Sequence, residues 1–226
     1  MKSLLSNIKI SVPEKIYIKD PESSDLGKRI IEHSILLINE IGFDSFTFKK
    51  LGKIIGSNES SIYRYFESKH KLLLYLTSWY WAWIEYQLVF ATSNIPDAED
   101  KLLKAIEVVT RAITEDYDFS HINEVKLNQI IINEYSKSYL TKEVDTENKE
   151  GYFVVYKRLI QRLRDMILEN NPNYKFASSL SSTIVEGALH QHFLAEHFMS
   201  ITDCNGEVTP TDFFKELTIK AIKPTK

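Results

Sequence analysis

The sequence predicts an all-α fold. Three observations carry that expectation. Only 7 glycines and 6 prolines occur among 226 residues, which favours long helices with short connections over strands and turns. From about Asp25 onward, apolar residues recur with helical period. Residues that cap or stop helices fall at the ends of those periodic stretches.

The first helix is expected in "DPESSDLGKRIIEHSILLINEIG". Ser23, Ser24 or Asp25 can cap its free amides. Ile30, Ile31, Ser34, Leu37, Ile38 and Ile41 form one stripe, and Gly42 is placed to stop it. In "FDSFTFKKLGKIIG", Thr47 is a candidate N-cap for a short helix turning Phe48, Leu51, Ile54 and Ile55 inward, ended by Gly56. Asn58 then caps a second short helix holding Ile62, Tyr63 and Phe66. Ser68 caps a long helix that begins at Lys69. Two helices joined by a glycine turn and followed by a third are the helix-turn-helix arrangement, whose second helix enters a major groove.

The stretch "SNESSIYRYFESKHKLL", residues 57–73, suits that task. A recognition helix needs short polar side chains at its start, and Ser57, Asn58, Ser60 and Ser61 supply them. Hydroxyls, backbone amides and helix N-termini can bind phosphate. Net charge is −3 for the whole chain, so any nucleic-acid surface is local. Residues 25–76 hold eight Lys/Arg against six Asp/Glu, a net +2, which leaves −5 for the remainder. On the residues alone, two readings stay open: a DNA reader, or a helical hairpin with ordinary solvated charge.

Gly42–Phe43, Phe46–Thr47, Leu51, Ile55–Gly56 and then "SSIYRYFESKHKLL" resemble the TetR family of bacterial regulators. The resemblance covers residues 25–76, and its Tyr-x-x-Phe-x-x-Lys element after a glycine turn is specific. It implies an N-terminal three-helix helix-turn-helix DNA-binding domain and a larger C-terminal helical domain for ligand binding and dimerisation. The expected organisation is an arm at 1–22, the DNA-binding domain at 23–70 and the second domain at 71–226. The resemblance also implies roles. Thr47 and Lys49 would touch phosphate, and Ser60 and Ser61 would lie at the groove, with Arg64 beside them. Tyr63 would hydrogen-bond a phosphate, Tyr65 would reach backbone or base, and Lys69 would clamp a phosphate.

Some positions depart from the family pattern. Ile55 stands where alanine is usual, Gly52 follows Leu51, Ser57 replaces an apolar residue, and Glu59 replaces a Lys, Arg or Gln. Glu59 can accept from cytosine N4; alternatively it caps its own helix, faces solvent or marks weak DNA binding.

Beyond residue 70, Tyr75, Trp79, Trp83, Tyr86 and Phe90 share one helical face. That face is either an aromatic core stripe or the wall of a pocket for an apolar or aromatic effector. Tyr156 joins the second reading from a later helix. Further helices are expected in "DAEDKLLKAIEVVTRAITEDY", "HINEVKLNQIIINEYSKSYL" and "YFVVYKRLIQRLRDMILEN", with "LTKEVDTENKEG" as a loop. In "FASSLSSTIVEGALHQHFLAEHFMS", Leu180, Ile184, Gly187, Ala188, Gln191, Leu194 and Ala195 form a stripe with small residues in its middle. The resemblance implies a dimer interface there; burial within one chain is the alternative.

The first 22 residues alternate apolar and polar residues in "IKISV" and "KIYIKD". They read as an arm ordered against the body, a short strand or a DNA-reaching arm. Among the histidines, His190 and His192 point apart on a helix, so no metal site is expected. There is no nucleophile–base pair and no phosphate loop, which argues against an enzyme. One cysteine, Cys204, excludes an internal disulfide and suits a reducing compartment, the cytoplasm. The expected partners are operator DNA, a small-molecule effector and a second copy of the chain, with no cofactor and no membrane.

Overall fold

A computed structural model describes residues 10–113 and 121–223. Among the described residues it is helical throughout, with eleven α-helices, three 3-10 turns and no strand. Helices α1 (Asp25–Ser45), α2 (Phe48–Ile54) and α3 (Glu59–Tyr63) come first, followed by the long α4 (Lys69–Thr92). Then come α5 (Ala98–Thr110), α6 (Glu124–Glu134), α7 (Ser136–Tyr139) and α8 (Val144–Lys149). The chain closes with α9 (Val154–Asn170), α10 (Ala177–His197) and α11 (Pro210–Ile222).

The predicted caps form. The Ser24 hydroxyl accepts from the Gly27 amide, Thr47 from Lys50, Asn58 from Ser61 and Ser68 from Lys71. Each contributes about 1 kcal/mol. At Gly42 the backbone leaves helical geometry with φ of 75°, so α1 breaks where the sequence placed its stop. The α1 stripe is buried except for Ile41, which is half-buried.

The chain divides into two compact units. One comprises Met1–Tyr80 with Ile113–Val154, the other Trp81–Ala112 with Val155–Lys226. This division does not fall at the 70/71 boundary expected from sequence. Helix α4 continues without a break past residue 70. The α6–α8 segment joins the N-terminal helices through polar contacts: Asn39 donates to Gln129, the Phe43 amide to Glu134, and Lys137 to Asp44. His70 meets Glu147 at 2.9 Å. That last contact explains α8, which forms where a polar loop was expected. Folding 144–149 into a helix brings the buried Glu147 to its imidazole partner.

In the second unit, α5, α10 and α11 pack together. Helix α11 was not anticipated. Its signal was present: Thr209 and Asp212 form a reciprocal capping box, with Pro210 at the first helical position. The expected α5 segment ended at 117, and residues 114–117 of it lie outside the described residues, as do residues 8 and 9 of the "IKISV" stretch.

Candidate nucleic-acid interface

Helices α2 and α3 meet through a turn at Gly56, whose φ is +62°. The Gly52 departure has a steric cause. A Cβ at residue 52 would lie 2.7 Å from the Ser57 carbonyl oxygen. The turn thus closes onto α2 only because residue 52 has no side chain, and the Ser57 amide donates back to the Gly52 carbonyl at 2.9 Å. Ile62 is buried beneath α3, and Phe48 packs edge-on against Tyr63 at 5.0 Å. The helix pair is therefore a preformed, capped element.

Its outer surface carries most of the expected residues. Thr47, Lys49, Ser60 and Arg64 are exposed, and Tyr63 keeps 46% of its surface accessible. Ser61 is held in the capping network: its amide and hydroxyl both donate to Asn58 Oδ1, and Arg64 donates to its oxygen at 3.2 Å. Glu59 is the first residue of α3. A carboxylate there is favoured by the free amides of the first turn.

Two residues lie elsewhere than expected. Lys69 donates from Nζ to the carbonyls of Phe43, Asp44 and Phe46 at 3.0, 3.0 and 3.3 Å, and sits 4.8 Å from the Phe43 ring centre. An ammonium has three N–H groups, and here all three face the end of α1. Lys69 is thus a cap for that helix rather than a phosphate clamp. Tyr65 is only 3% exposed. Its hydroxyl meets Ser24 Oγ at 2.8 Å and accepts from Lys19 Nζ at 3.3 Å. The Ile18 amide donates to the Tyr65 carbonyl at 2.8 Å. Tyr65 is turned inward and ties the chain after α3 to the N-terminal arm. The Ser24 hydroxyl, followed by the Lys19 ammonium, holds its phenol below the ordinary tyrosine range.

The described residues of the arm lie against the helices of their own unit. Ile10, Val12 and Ile16 are buried. A Cβ on Gly27 would meet the Pro21 carbonyl oxygen at 2.1 Å, so glycine in α1 permits the arm to lie against it. Neither Lys19 nor Ser24 could be assigned this role from sequence, because the partners are 46 and 41 residues apart.

The expected effector residues split. Trp79 and Trp83 are buried, Tyr86 is half-buried, and Phe90 is 66% exposed, stacked on Tyr86 at 6.3 Å. Phe90 therefore faces outward, two turns past Trp83, the last buried aromatic of α4. Residues 72–85 of α4 are buried on every face, so the aromatic stripe is not a separate surface. Tyr156 packs against Trp81 at 5.4 Å, and its hydroxyl donates to Glu186. A feature absent from the sequence reading lies nearby in α4. The buried Glu85 accepts from Arg158 Nε at 2.6 Å and from Arg162 Nε at 2.6 Å. Burial raises its pKa, but the two guanidiniums outweigh that and hold the carboxyl below its usual range.

The expected dimer stripe packs mostly within the chain. Leu180, Ile184, Ala188 and Leu194 are buried. A Cβ on Gly187 would lie 2.6 Å from the Phe214 ring, so the small residue admits α11 of the same protomer. Gln191 accepts from Thr202, and Ala195 is half-buried. Exposed apolar residues lie on other positions: Phe198, Met199 and Ile201 after α10, and Phe213 and Leu217 on α11. His192 bonds the Thr110 carbonyl, and His197 packs on Phe193.

Comparison with known proteins accords with this geometry. Residues 30–76 match the family model described as bacterial regulatory proteins, tetR family. No curated protein matches the chain in sequence. Among solved structures, AibR in complex with isovaleryl coenzyme A and operator DNA is 13% identical, with a TM-score of 0.58, over 88% of this chain and 100% of that one. FadR, a fatty acid degradation regulator from Bacillus halodurans, is 18% identical with a TM-score of 0.55, over 88% and 98%. The superantigen PfiT is 16% identical with a TM-score of 0.59, over 92% and 100%. At these identities the likeness is one of fold. Residues 30–76 thus match a tetR-family helix-turn-helix domain, in a chain whose all-helical fold resembles that of two TetR-family transcriptional regulators of known structure.

Proposed function

We propose that the protein is a homodimeric, ligand-responsive transcriptional regulator, a repressor released from its operator by a small apolar or aromatic effector. The carrying observation is the capped α2–turn–α3 element, which leaves Thr47, Lys49, Ser60, Tyr63 and Arg64 on its outer surface. Short polar groups at the start of α3 allow close approach to base edges, while Lys49 and Arg64 supply phosphate attraction. Ser61 acts by fixing Arg64 and the start of α3. Tyr65 and Lys69 act from inside, by holding α3 against its supports.

The effector reading draws on the aromatic groups of α4 and α9 and on the acyl-CoA complex of AibR. Trp83, Tyr86 and Tyr156, all in the second unit, are its candidate contacts. A ligand that favours one arrangement of the helices shifts the population toward it. If that arrangement moves two recognition helices away from about one helical turn of DNA, operator affinity falls. The exposed apolar residues of α11 and of the segment after α10 are the candidate dimer surface.

A second reading is a helical ligand- or partner-binding protein whose helix-turn-helix reads DNA weakly. Glu59 at the α3 start and the inward Lys69 and Tyr65 favour it.

Anisotropy of a labelled duplex, titrated with protein across a salt series, separates the two. Lys49→Ala and Arg64→Ala are each expected to weaken binding and to lower the salt slope by about 1. Lys69→Met is expected to leave the slope unchanged while lowering stability by about 1 kcal/mol, since two part-buried carbonyls and one exposed carbonyl lose their donor. A slope unaltered by both Lys49→Ala and Arg64→Ala contradicts the assigned DNA face.

A further inference from the structure

We propose that Asn205, on the connection between α10 and α11, is a site of spontaneous deamidation through a succinimide. The reaction needs only hydroxide and water. The amide nitrogen of the following residue gives up its proton and attacks Asn205 Cγ. A Cγ–N bond forms, the Cγ–Nδ2 bond breaks, and the carboxamide nitrogen leaves as ammonia. Water then opens the ring at either carbonyl. Opening at the backbone carbonyl leaves isoaspartate, with the chain routed through Cγ; opening at Cγ leaves aspartate. Either product carries a carboxylate that the parent lacks, and nothing is oxidised or reduced.

The attack needs a free nitrogen, an unhindered approach and a backbone able to bend toward the side chain. Residues 205 and 206 supply all of these. Both are exposed. Asn205 is the only asparagine followed by glycine, so no Cβ stands beside the attacking nitrogen. Gly206 has φ of +146°, and apart from its chain neighbours no heavy atom lies within 4 Å of where a Cβ would stand. An amide held in a hydrogen bond resists losing its proton, but the Gly206 amide donates none among the described residues. The Asn205 carboxamide is held by one long bond, from Nδ2 to the Thr202 carbonyl at 3.3 Å.

The neighbouring chain is anchored on both sides, which confines this freedom to the tip. Thr202 donates to Gln191 of α10 at 2.6 Å and accepts the Cys204 amide at 3.0 Å. Cys204 is buried. Beyond the tip, Pro210 is buried and the Thr209–Asp212 capping box starts α11. Residues 205–209 between these anchors are all exposed. Asn94 is the internal contrast. It is exposed too, but it precedes the β-branched Ile95, whose amide donates to the Thr92 carbonyl at 3.3 Å. Asn171 precedes Pro172, which has no N–H to lose.

Peptide mapping by mass spectrometry tests the proposal on the full chain, incubated folded and in guanidinium, with no DNA or effector present. The peptide holding Asn205 is expected to show the mass gain of an amide exchanged for an acid. An isoaspartyl methyltransferase, used as a reagent, is expected to label it. Its rate is expected to rise about tenfold per pH unit, as the population of the amide anion does. The Asn94 peptide is expected to stay unmodified over the same interval, and Asn205→Gln to abolish the gain in its own peptide. Equal rates at Asn94 and Asn205, or a rate indifferent to pH, overturns the proposal. So does a folded-chain rate more than about tenfold below that in guanidinium, which would mean that the loop protects the site.

Discussion

Placing glutamate at both Phe213 and Leu217 is expected to leave a folded monomer whose operator affinity is about 10²–10⁴-fold lower. Helix α11 turns Phe214, Thr218 and Ile222 inward, against the rest of its own unit. Phe213 and Leu217, one turn apart, remain 43% and 37% exposed. A two-fold interface would use such a patch on both subunits, and two carboxylates per subunit facing their mates would oppose association. The affinity loss follows because a dimer gains its second half-site intramolecularly, whereas a monomer does not. Sedimentation velocity and duplex anisotropy on the same preparation check it. A dimer that survives both substitutions with unchanged operator affinity would place the interface elsewhere.

The second large effect is on stability. Phe66→Ala is expected to lower unfolding free energy by about 3–5 kcal/mol, the range for large aromatic deletions in a core. Phe66 is fully buried and meets the Tyr75 ring at 5.4 Å, joining the segment after α3 to α4. Urea unfolding followed by tryptophan fluorescence measures the loss, with Val89→Ala, an exposed α4 position, expected within about 0.5 kcal/mol of the parent. A Phe66→Ala cost below about 1.5 kcal/mol would mean that the site collapses around the deletion.

The N-terminal helices were legible because their signals are local. Ser24, Thr47, Asn58 and Ser68 each bond an amide three residues on, and Gly42 and Gly56 adopt positive φ where a helix had to end. Side-chain direction was less legible. The Tyr-x-x-Phe-x-x-Lys spacing places Tyr65 and Lys69 near DNA in the family pattern, but their partners here are Ser24 and Lys19 for Tyr65, and three carbonyls at the end of α1 for Lys69. Those pairings span 23–46 residues, beyond the reach of periodicity.

The α10 stripe was ambiguous for a different reason. Leu180, Ile184, Gly187 and Ala188 do mark a close helix approach, but the pattern of small residues does not say which helix arrives. It is α11 of the same chain, with Phe214 filling the space at Gly187. Phe90 continued the aromatic spacing of α4 past the point where neighbouring elements cover it, so correct periodicity gave an exposed ring.

Selection of bound sequences from a random duplex pool, at two salt concentrations, tests the central claim most directly. A sequence-reading dimer predicts an enriched palindrome whose half-sites lie about one helical turn apart and whose enrichment survives moderate salt. No enrichment, with weak binding lost as salt rises, would contradict it, leaving only phosphate attraction at Lys49 and Arg64.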